Sequence, residues 1–230
     1  MKIKGLQKLT LLDYPDRTAC TVFIGGCDFR CPFCHNMDIV DDRFPEDYID
    51  EDYLFDFLTK RKTMLDGVCI TGGEPLMTPD VLPLMRKIKA LGYSLKLDTN
   101  GSYPERLRQA VEGGLVDYVA MDIKNSPEKY ARTAGAPAPL IEKVKESVAY
   151  LMEGHTDYEF RTTVMHPFHE ISDFDRIGEW IKGAKQYYIQ VFADHDNVPD
   201  RSLSAPDRET LGKMLETIRK YVPDSHLRGI

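Results

Sequence analysis

The 230-residue chain contains no run of apolar residues that approaches the roughly 18 needed to cross a membrane. Its opening stretch reaches Asp13 and Asp16 without the apolar core of a secretory signal peptide. Positive charge is also in short supply, because 30 Lys and Arg stand against 37 Asp and Glu, for a net charge of −7. A nucleic-acid-binding domain would need a basic surface. We therefore predict a cytoplasmic protein that binds neither a membrane nor nucleic acid.

Cysteine is scarce too, and its distribution argues against a disulfide framework. The chain has five cysteines, an odd number, and three of them cluster as Cys27, Cys31 and Cys34. Disulfide-rich secreted domains usually pair an even number of cysteines. The other two, Cys20 and Cys69, lie in apolar runs, where we expect small buried side chains.

The clustered cysteines form a C-x3-C-x2-C run that brings three thiolates to one metal centre and leaves it one ligand short. Structural zinc sites close with four protein ligands, and a 4Fe–4S cluster is normally held by four cysteines. Three thiolates with no obvious fourth therefore indicate a cluster with one open iron, which favours chemistry over scaffolding. His35 is a poor fourth ligand because its neighbour Cys34 already binds the same centre. A non-catalytic iron–sulfur or zinc module is the alternative.

The rest of the chain alternates short β-rich runs with helical stretches, which predicts parallel βαβ units. The predicted strands cover residues 19–24, 67–70, 94–98, 118–122, 159–165 and 187–192, and the predicted helices cover residues 53–62, 79–91, 104–112, 140–152, 173–182 and 207–221. Six units predict an α/β fold, a partial (βα)6 TIM-like barrel with parallel strands, as one domain over residues 1–230. A doubly wound open sheet is the competing architecture.

Polar residues at the ends of the predicted strands favour the barrel. Besides the cysteine run, these ends read Thr-Gly-Gly-Glu-Pro at residues 71–75, Asp-Thr-Asn-Gly at 98–101 and Asp-Ile-Lys at 122–124. In βα barrels the active site forms where the carboxyl ends of the strands meet. Gly72 and Gly73 would let backbone approach a ligand, and Glu74 is suited to receive a cation such as an α-amino group. A tight turn with a solvated glutamate is the alternative.

Charged residues near these ends predict further contacts. Asp122 and Lys124 alternate along one strand and therefore share a face; a helix N-cap aspartate and a surface lysine are the alternative. Arg161 lies inside an apolar strand and needs a partner there, either a structural one or a ligand carboxylate or ribose. Asn100 and Gly101 precede a helical stretch, which predicts a strand-to-helix turn rather than a hairpin.

Together these residues resemble the radical S-adenosylmethionine (SAM) superfamily, and the resemblance covers most of the chain. The family signature C-x3-C-x-φ-C appears as Cys27, Cys31 and Cys34, with Phe33 as the aromatic residue before the last cysteine. A Gly-Gly-Glu-Pro element follows at residues 72–75. The resemblance implies that the three thiolates hold a 4Fe–4S cluster whose fourth iron binds the amino and carboxylate groups of SAM.

The same resemblance implies roles for other residues at the strand ends. Glu74 and the backbone of Gly72 and Gly73 would steady the SAM amino group, and Phe33 would lie near the adenine. The candidates for contact with the SAM carboxylate and ribose are Thr99, Asn100, Lys124 and Arg161. Similar proteins have a monovalent-cation site that involves Asp98 and Asp122, and both carboxylates are present here.

A narrower resemblance is to the glycyl-radical-enzyme activases. Its motifs are Leu-Leu-Asp-Tyr-Pro at 11–15, Val-Phe-Ile-Gly-Gly-Cys at 22–27, Cys-His-Asn at 34–36, Leu-Asp-Thr-Asn-Gly at 97–101 and Met-Asp-Ile-Lys at 121–124. The opening most resembles the activating proteins of anaerobic ribonucleoside-triphosphate reductase. Pyruvate formate-lyase activase is similar in several motifs, but it carries a histidine where this chain reads Tyr-Ile-Gln-Val-Phe at 188–192. A role tied to that histidine is not carried over.

The activity implied by this resemblance is reductive cleavage of SAM, followed by removal of a hydrogen atom from a backbone glycine of a partner enzyme. Flavodoxin or ferredoxin is the implied reductant. Hydrogen-atom transfer needs no general base, and a barrel interior would contain the reactive radical. The alternatives are activation of another glycyl-radical enzyme, such as pyruvate formate-lyase, and a radical SAM reaction on a small molecule.

Overall fold

Eight strands form one sheet in which each strand lies beside its sequence neighbour. The computed structural model of the protein describes residues 3–41, 43 and 46–229. The strands are β1 Ile3–Thr10, β2 Ala19–Ile24, β3 Gly67–Gly72, β4 Ser94–Thr99, β5 Tyr118–Asp122, β6 Asp157–Val164, β7 Tyr187–Val191 and β8 Ser225–Arg228. From β2 to β8 every neighbouring pair is parallel, whereas β1 pairs antiparallel with β2.

This sequential order confirms the α/β partial barrel. The alternative of a doubly wound sheet is wrong, because the strand order of such a sheet reverses at a switch point. Arg161 on β6 reaches Asp98 on β4 across the intervening β5, at 3.2 Å between Nη2 and Oδ2. Such a contact requires a strongly curved sheet with a concave interior. The prediction of one domain over residues 1–230 stays a prediction.

Eight helices connect the strands in the part of the chain that the structure describes. They are α1 Met37–Val40, α2 Glu51–Lys60, α3 Val81–Ala90, α4 Pro104–Glu112, α5 Tyr130–Ala134, α6 Leu140–Met152, α7 Ile171–Trp180 and α8 Arg208–Arg219, and a 3-10 turn covers Pro75–Met77. The bounds of α4 and α6 agree with the predicted helices. The short α1 and α5 were not predicted, because four or five residues show no helical period. None of the described helices is long and apolar enough to cross a membrane.

The strands β1 and β8 at the two edges of the sheet were also missed by the sequence prediction. Only Ile3 and Thr10, the end residues of β1, are buried, so the strand has neither an apolar run nor a clean alternation. Strand β8 has only four residues, and its last residue, Arg228, connects it to β6. Arg228 donates two hydrogen bonds to the buried Glu159 carboxylate, at 2.7 and 3.1 Å. Tertiary contacts of this kind are not visible in a local pattern.

Candidate active site

The three clustered cysteines lie in the loop between β2 and α1, at the carboxyl end of the barrel strands. Distant parts of the chain hold this loop in place. The Arg30 N–H donates to the carbonyl of Ala134, the last residue of α5, at 3.1 Å, and the Asp200 N–H donates to the Pro32 carbonyl at 3.1 Å. The positions of the thiols are therefore set by segments more than a hundred residues away.

All three thiols line one cavity of about 250 Å³. Burial raises the pKa of Cys27 to about 12 and that of Cys31 to about 11, and it also raises the pKa of Cys34. The free thiols are therefore neutral at pH 7, and metal ligation would displace their protons. Three soft sulfur donors on one cavity fit an iron–sulfur cluster. As predicted, Cys20 and Cys69 are fully buried in β2 and β3.

Among the described residues, no three His, Cys, Asp or Glu side chains converge closely enough to ligate a single metal ion. A four-iron cluster makes a different demand, because each cysteine binds a different iron. The donor set formed by Cys27, Cys31 and Cys34 therefore suits a cluster.

The Gly-Gly-Glu turn at the end of β3 packs its backbone directly on the end of β2. The Gly73 N–H donates to the Ile24 carbonyl at 2.9 Å. A Cβ on Gly73 would lie 1.9 Å from the Gly26 carbonyl oxygen, and a Cβ on Gly72, whose φ is +123°, would lie 2.3 Å from the Ile24 oxygen. These glycines are thus required by backbone packing, in addition to lining the cavity.

Glu74 is fully buried and turned into the protein, so the alternative of a solvated glutamate is wrong. Its Oε1 accepts hydrogen bonds from Thr99 Oγ1 at 2.8 Å and Leu76 N at 2.9 Å, and its Oε2 accepts one from Asn100 N at 2.6 Å. Burial raises the pKa of Glu74 to about 8, although the N–H groups of Asn100 and Leu76 oppose the rise. Glu74 therefore ties the β3 turn to the β4 turn. Its direct contact with a SAM amino group stays a prediction.

Asn100 continues this connection to the cysteine loop. Its Nδ2 donates to Asp28 Oδ1 at 3.0 Å and lies 3.7 Å from Cys27 Sγ. Gly101 adopts φ +78° and leads towards α4, which confirms the predicted strand-to-helix turn. The three loops that carry the family motifs thus form one hydrogen-bonded unit around the cavity.

A charged cluster forms another part of the cavity wall, and it confirms that Asp122 and Lys124 share a face. Lys124 Nζ donates to Asp122 Oδ2 at 2.8 Å, and Arg161 Nε donates to Asp122 Oδ1 at 2.5 Å. Burial opposes ionisation of Asp122, but Arg161 and Lys124 outweigh it and hold the pKa of this carboxyl well below its usual range. Arg161 therefore has structural partners in the protein itself, Asp122 and Asp98.

The cavity can receive a ligand that carries a carboxylate and an aromatic ring. Lys124 Nζ lies 5.7 Å from the centre of the Phe33 ring, so a cation and an apolar surface stand side by side. All the predicted site residues except Glu74 line this cavity together with the three cysteines: Phe33, Gly72, Gly73, Asp98, Thr99, Asn100, Asp122, Lys124 and Arg161. Their predicted ligand contacts stay predictions.

Sequence reasoning missed Thr163 and Gln190, which also line the cavity. Thr163 follows Arg161 by two residues on β6, so the two-residue period of a strand places both on the same face. Gln190 pairs with Thr163 in the register of β6 and β7. His35 lines the cavity as well, but its Nε2 lies 2.9 Å from the Ala193 carbonyl oxygen.

Buried His169 predicts a loss of stability in mild acid. Its Nε2 lies 2.9 Å from the Lys124 carbonyl oxygen, and burial lowers its pKa. Below its ordinary value of 6.5, the unfolded chain takes up a proton that the folded chain does not. The free energy of unfolding therefore falls with decreasing pH, by at most about 1.4 kcal/mol per pH unit. Urea unfolding at about pH 7.5 and about pH 5.5 should show a larger loss for the wild type than for His169→Gln. Equal losses would contradict this assignment.

Comparison with known proteins adds sequence relatives to this geometry. The sequence profile of the Radical SAM superfamily matches residues 21–181. A Methanocaldococcus jannaschii protein, provisionally named a glycyl-radical enzyme activating enzyme, is 27% identical over 99% of this chain and 96% of its own length. The pyruvate formate-lyase-activating enzyme of Listeria monocytogenes is 33% identical over 53% of this chain and 53% of its own length. The anaerobic ribonucleoside-triphosphate reductase-activating protein of Escherichia coli is 33% identical over 32% of this chain and 51% of its own length.

Among solved structures, Streptococcus suis SuiB bound to S-adenosylmethionine is similar in fold. Its TM-score is 0.67 at 13% identity, and the match covers 91% of this chain and 52% of that chain. At this identity the likeness shows the fold alone.

Proposed function

Because the chain belongs to the radical SAM superfamily, with a 4Fe–4S cluster and SAM as its cofactors, we propose that it is an activase that generates a glycyl radical on a partner enzyme. The observation that carries the proposal is the match with the Methanocaldococcus jannaschii protein, which spans 99% of this chain. The other two relatives, both named as activating proteins, match shorter parts of the chain.

In this function the three cysteines hold the cluster, which when bound supplies the electron that cleaves SAM. Lys124 and Arg161 offer positive charge to the SAM carboxylate, while Phe33 offers an apolar surface to the adenine. Glu74 positions Thr99 and Asn100, because both residues donate hydrogen bonds to its carboxylate. The buried walls of the cavity limit the access of water to the radical.

A protein substrate suits the open shape of the barrel. The strand order begins at β1 and ends at β8, and in the described part of the chain these two strands do not pair with each other. A polypeptide loop needs an open side to bring a backbone glycine to the cavity, whereas a small molecule does not. The uncharged Thr163 and Gln190 side chains are suited to hydrogen bonds with such a backbone.

The partner we propose is anaerobic ribonucleoside-triphosphate reductase, with pyruvate formate-lyase as the second candidate. Incubation of the reduced protein with SAM and each partner should give the electron paramagnetic resonance doublet of a glycyl radical with the reductase. A doublet only with pyruvate formate-lyase would reassign the partner. Release of 5′-deoxyadenosine coupled to turnover of a small molecule, with no protein radical, would refute the activase function. A flavodoxin or ferredoxin reductant and a cytoplasmic location remain predictions.

A further inference from the structure

All four carboxylate oxygens of Asp98 and Asp122 lie within ion-pair distance of cationic side chains. Lys96 Nζ donates to Asp98 Oδ1, and Arg161 Nη2 lies 3.2 Å from Asp98 Oδ2. Arg161 Nε and Lys124 Nζ occupy the two oxygens of Asp122 at 2.5 and 2.8 Å. Three cationic side chains thus face two carboxylates.

This arrangement does not fit the monovalent-cation site that the sequence resemblance implied at Asp98 and Asp122. A hard cation such as Na⁺ or K⁺ is held by oxygen atoms whose lone pairs point at it. Here each oxygen lies beside an ammonium or guanidinium group. With three cations and two carboxylates, the cluster already carries one net positive charge. An added cation would meet three fixed positive charges within a few ångströms, at low dielectric.

Lys96 is the buried cation of this cluster, and it pairs with Asp98 inside the barrel. It precedes Asp98 by two residues on β4, so both side chains lie on the same face. Its side chain is 3% exposed, and its Nζ also lies 3.9 Å from Cys69 Sγ. A lysine buried this deeply is strongly unfavourable unless a carboxylate compensates it. Burial opposes ionisation of Asp98, but Arg161 and then Lys96 outweigh it and lower the pKa of Asp98.

We propose that Lys96 is the built-in cation of this site. Its ammonium group, fixed against Asp98, supplies the positive charge that a bound Na⁺ or K⁺ would otherwise supply, and SAM binding by this protein therefore needs no monovalent metal cation. Lys96 acts as a positioning residue, because it holds Asp98, which in turn holds Arg161 at the cavity wall. The proposal does not depend on which protein receives the radical.

The first test compares SAM binding in two salts. Wild-type protein with its cluster and the Lys96→Gln variant are titrated with SAM in tetramethylammonium chloride and in KCl at equal ionic strength. We expect the wild-type affinity to be the same in both salts. Lys96→Gln should bind SAM about tenfold more weakly in tetramethylammonium, the scale of one lost charged hydrogen bond, and should recover in KCl. Lys96→Arg, which keeps the charge, should show no response to K⁺.

The second test needs neither cluster nor activity. Thermal melting of the cluster-free protein reports K⁺ binding, because an ion that binds only the folded state raises the melting temperature. We expect KCl to raise it for Lys96→Gln but not for the wild type. Lys87→Gln, which removes an exposed lysine paired with Glu51 on the outer surface, is the matched control and should behave as the wild type.

Three results would overturn the proposal. The first is a wild-type protein that binds SAM only when K⁺ or Na⁺ is present. The second is a folded Lys96→Gln variant with no K⁺ response in either test. The third is a variant that stays unfolded in both salts, because K⁺ would then be unable to replace the ammonium group. A Lys96→Gln variant that folds only in KCl would support the proposal. Failure to form a glycyl radical would refute the proposed function but would leave the melting result unaffected.

Discussion

Replacing Cys31 with serine abolishes assembly of the iron–sulfur cluster and lowers SAM cleavage by at least about 100-fold, since even loss of an outer partner of a metal ligand reaches that scale. Cys31 is 7% exposed, and its Sγ lies 3.4 Å from the Ala134 carbonyl oxygen, so its position is set by the end of α5. A serine hydroxyl remains protonated at neutral pH and is a poor ligand for iron in such clusters. Iron content, the visible absorption of the cluster and 5′-deoxyadenosine formation under dithionite measure the effect.

The matched control is Cys20→Ala. Cys20 is also buried, but it lies within β2 rather than in the cysteine loop. This change should cost about 1 kcal/mol of stability through the lost packing, with iron content and SAM cleavage unchanged. Full iron content in Cys31→Ser, or loss of iron in Cys20→Ala, would contradict the assignment. Wild-type protein that binds iron but never cleaves SAM would instead favour a non-catalytic iron–sulfur module.

Replacing Arg161 with methionine should destabilise the fold by about 1–3 kcal/mol, because one buried oxygen of Asp98 and one of Asp122 would lose their cationic partner. The guanidinium is the only described group that binds both Asp98 and Asp122, at 3.2 and 2.5 Å. Lys96 and Lys124 would each retain one carboxylate, and the shared bridge between them would be lost. SAM affinity should fall as well, because Arg161 lines the cavity. Urea unfolding at neutral pH and SAM titration measure both effects.

The loss should depend on pH with a definite sign. The pKa of Asp122 is held below its usual range in the wild type, so the stability from this contact is present above the unfolded value of 3.8 and is lost as the pH falls towards the folded value. The difference between the wild type and Arg161→Met should therefore shrink in acid. Arg176→Met, which removes an exposed arginine paired with Glu179, is the control and should change nothing measurable. An Arg161→Met variant as stable as the wild type at neutral pH would show that the bridge carries no net stability.

The prediction from sequence succeeded where the signal is local. The core strands of the barrel and helices α4 and α6 were found because burial and helix formation impose a period that a short window reveals. The metal ligands were also predicted from a local signal, because three cysteines at this spacing indicate a metal site whatever fold surrounds them. Strands β1 and β8 were missed because their residues pair at the sheet edges with little burial.

The prediction was incomplete where a residue's role depends on what it faces. The sequence did not reveal that Thr99 and Asn100, at the end of β4, donate hydrogen bonds to the Glu74 carboxylate. Lys96 was not singled out, because a lysine in a strand normally indicates an exposed position. Thr163 and Gln190 carry no motif at all. Only the curvature of the sheet made these four residues parts of one site.

The sequence by itself determined the family, the strand-and-helix alternation and the thiolates that would hold the cluster, because these depend on spacing along the chain and on side-chain chemistry. Only the tertiary structure decided which charges compensate each other. Strand curvature brings Arg161 of β6 to Asp98 of β4, and Lys96 binds the same carboxylate from inside the barrel. Electrostatic energy depends on the distance between charges and on their burial, and the order of residues along the chain specifies neither quantity.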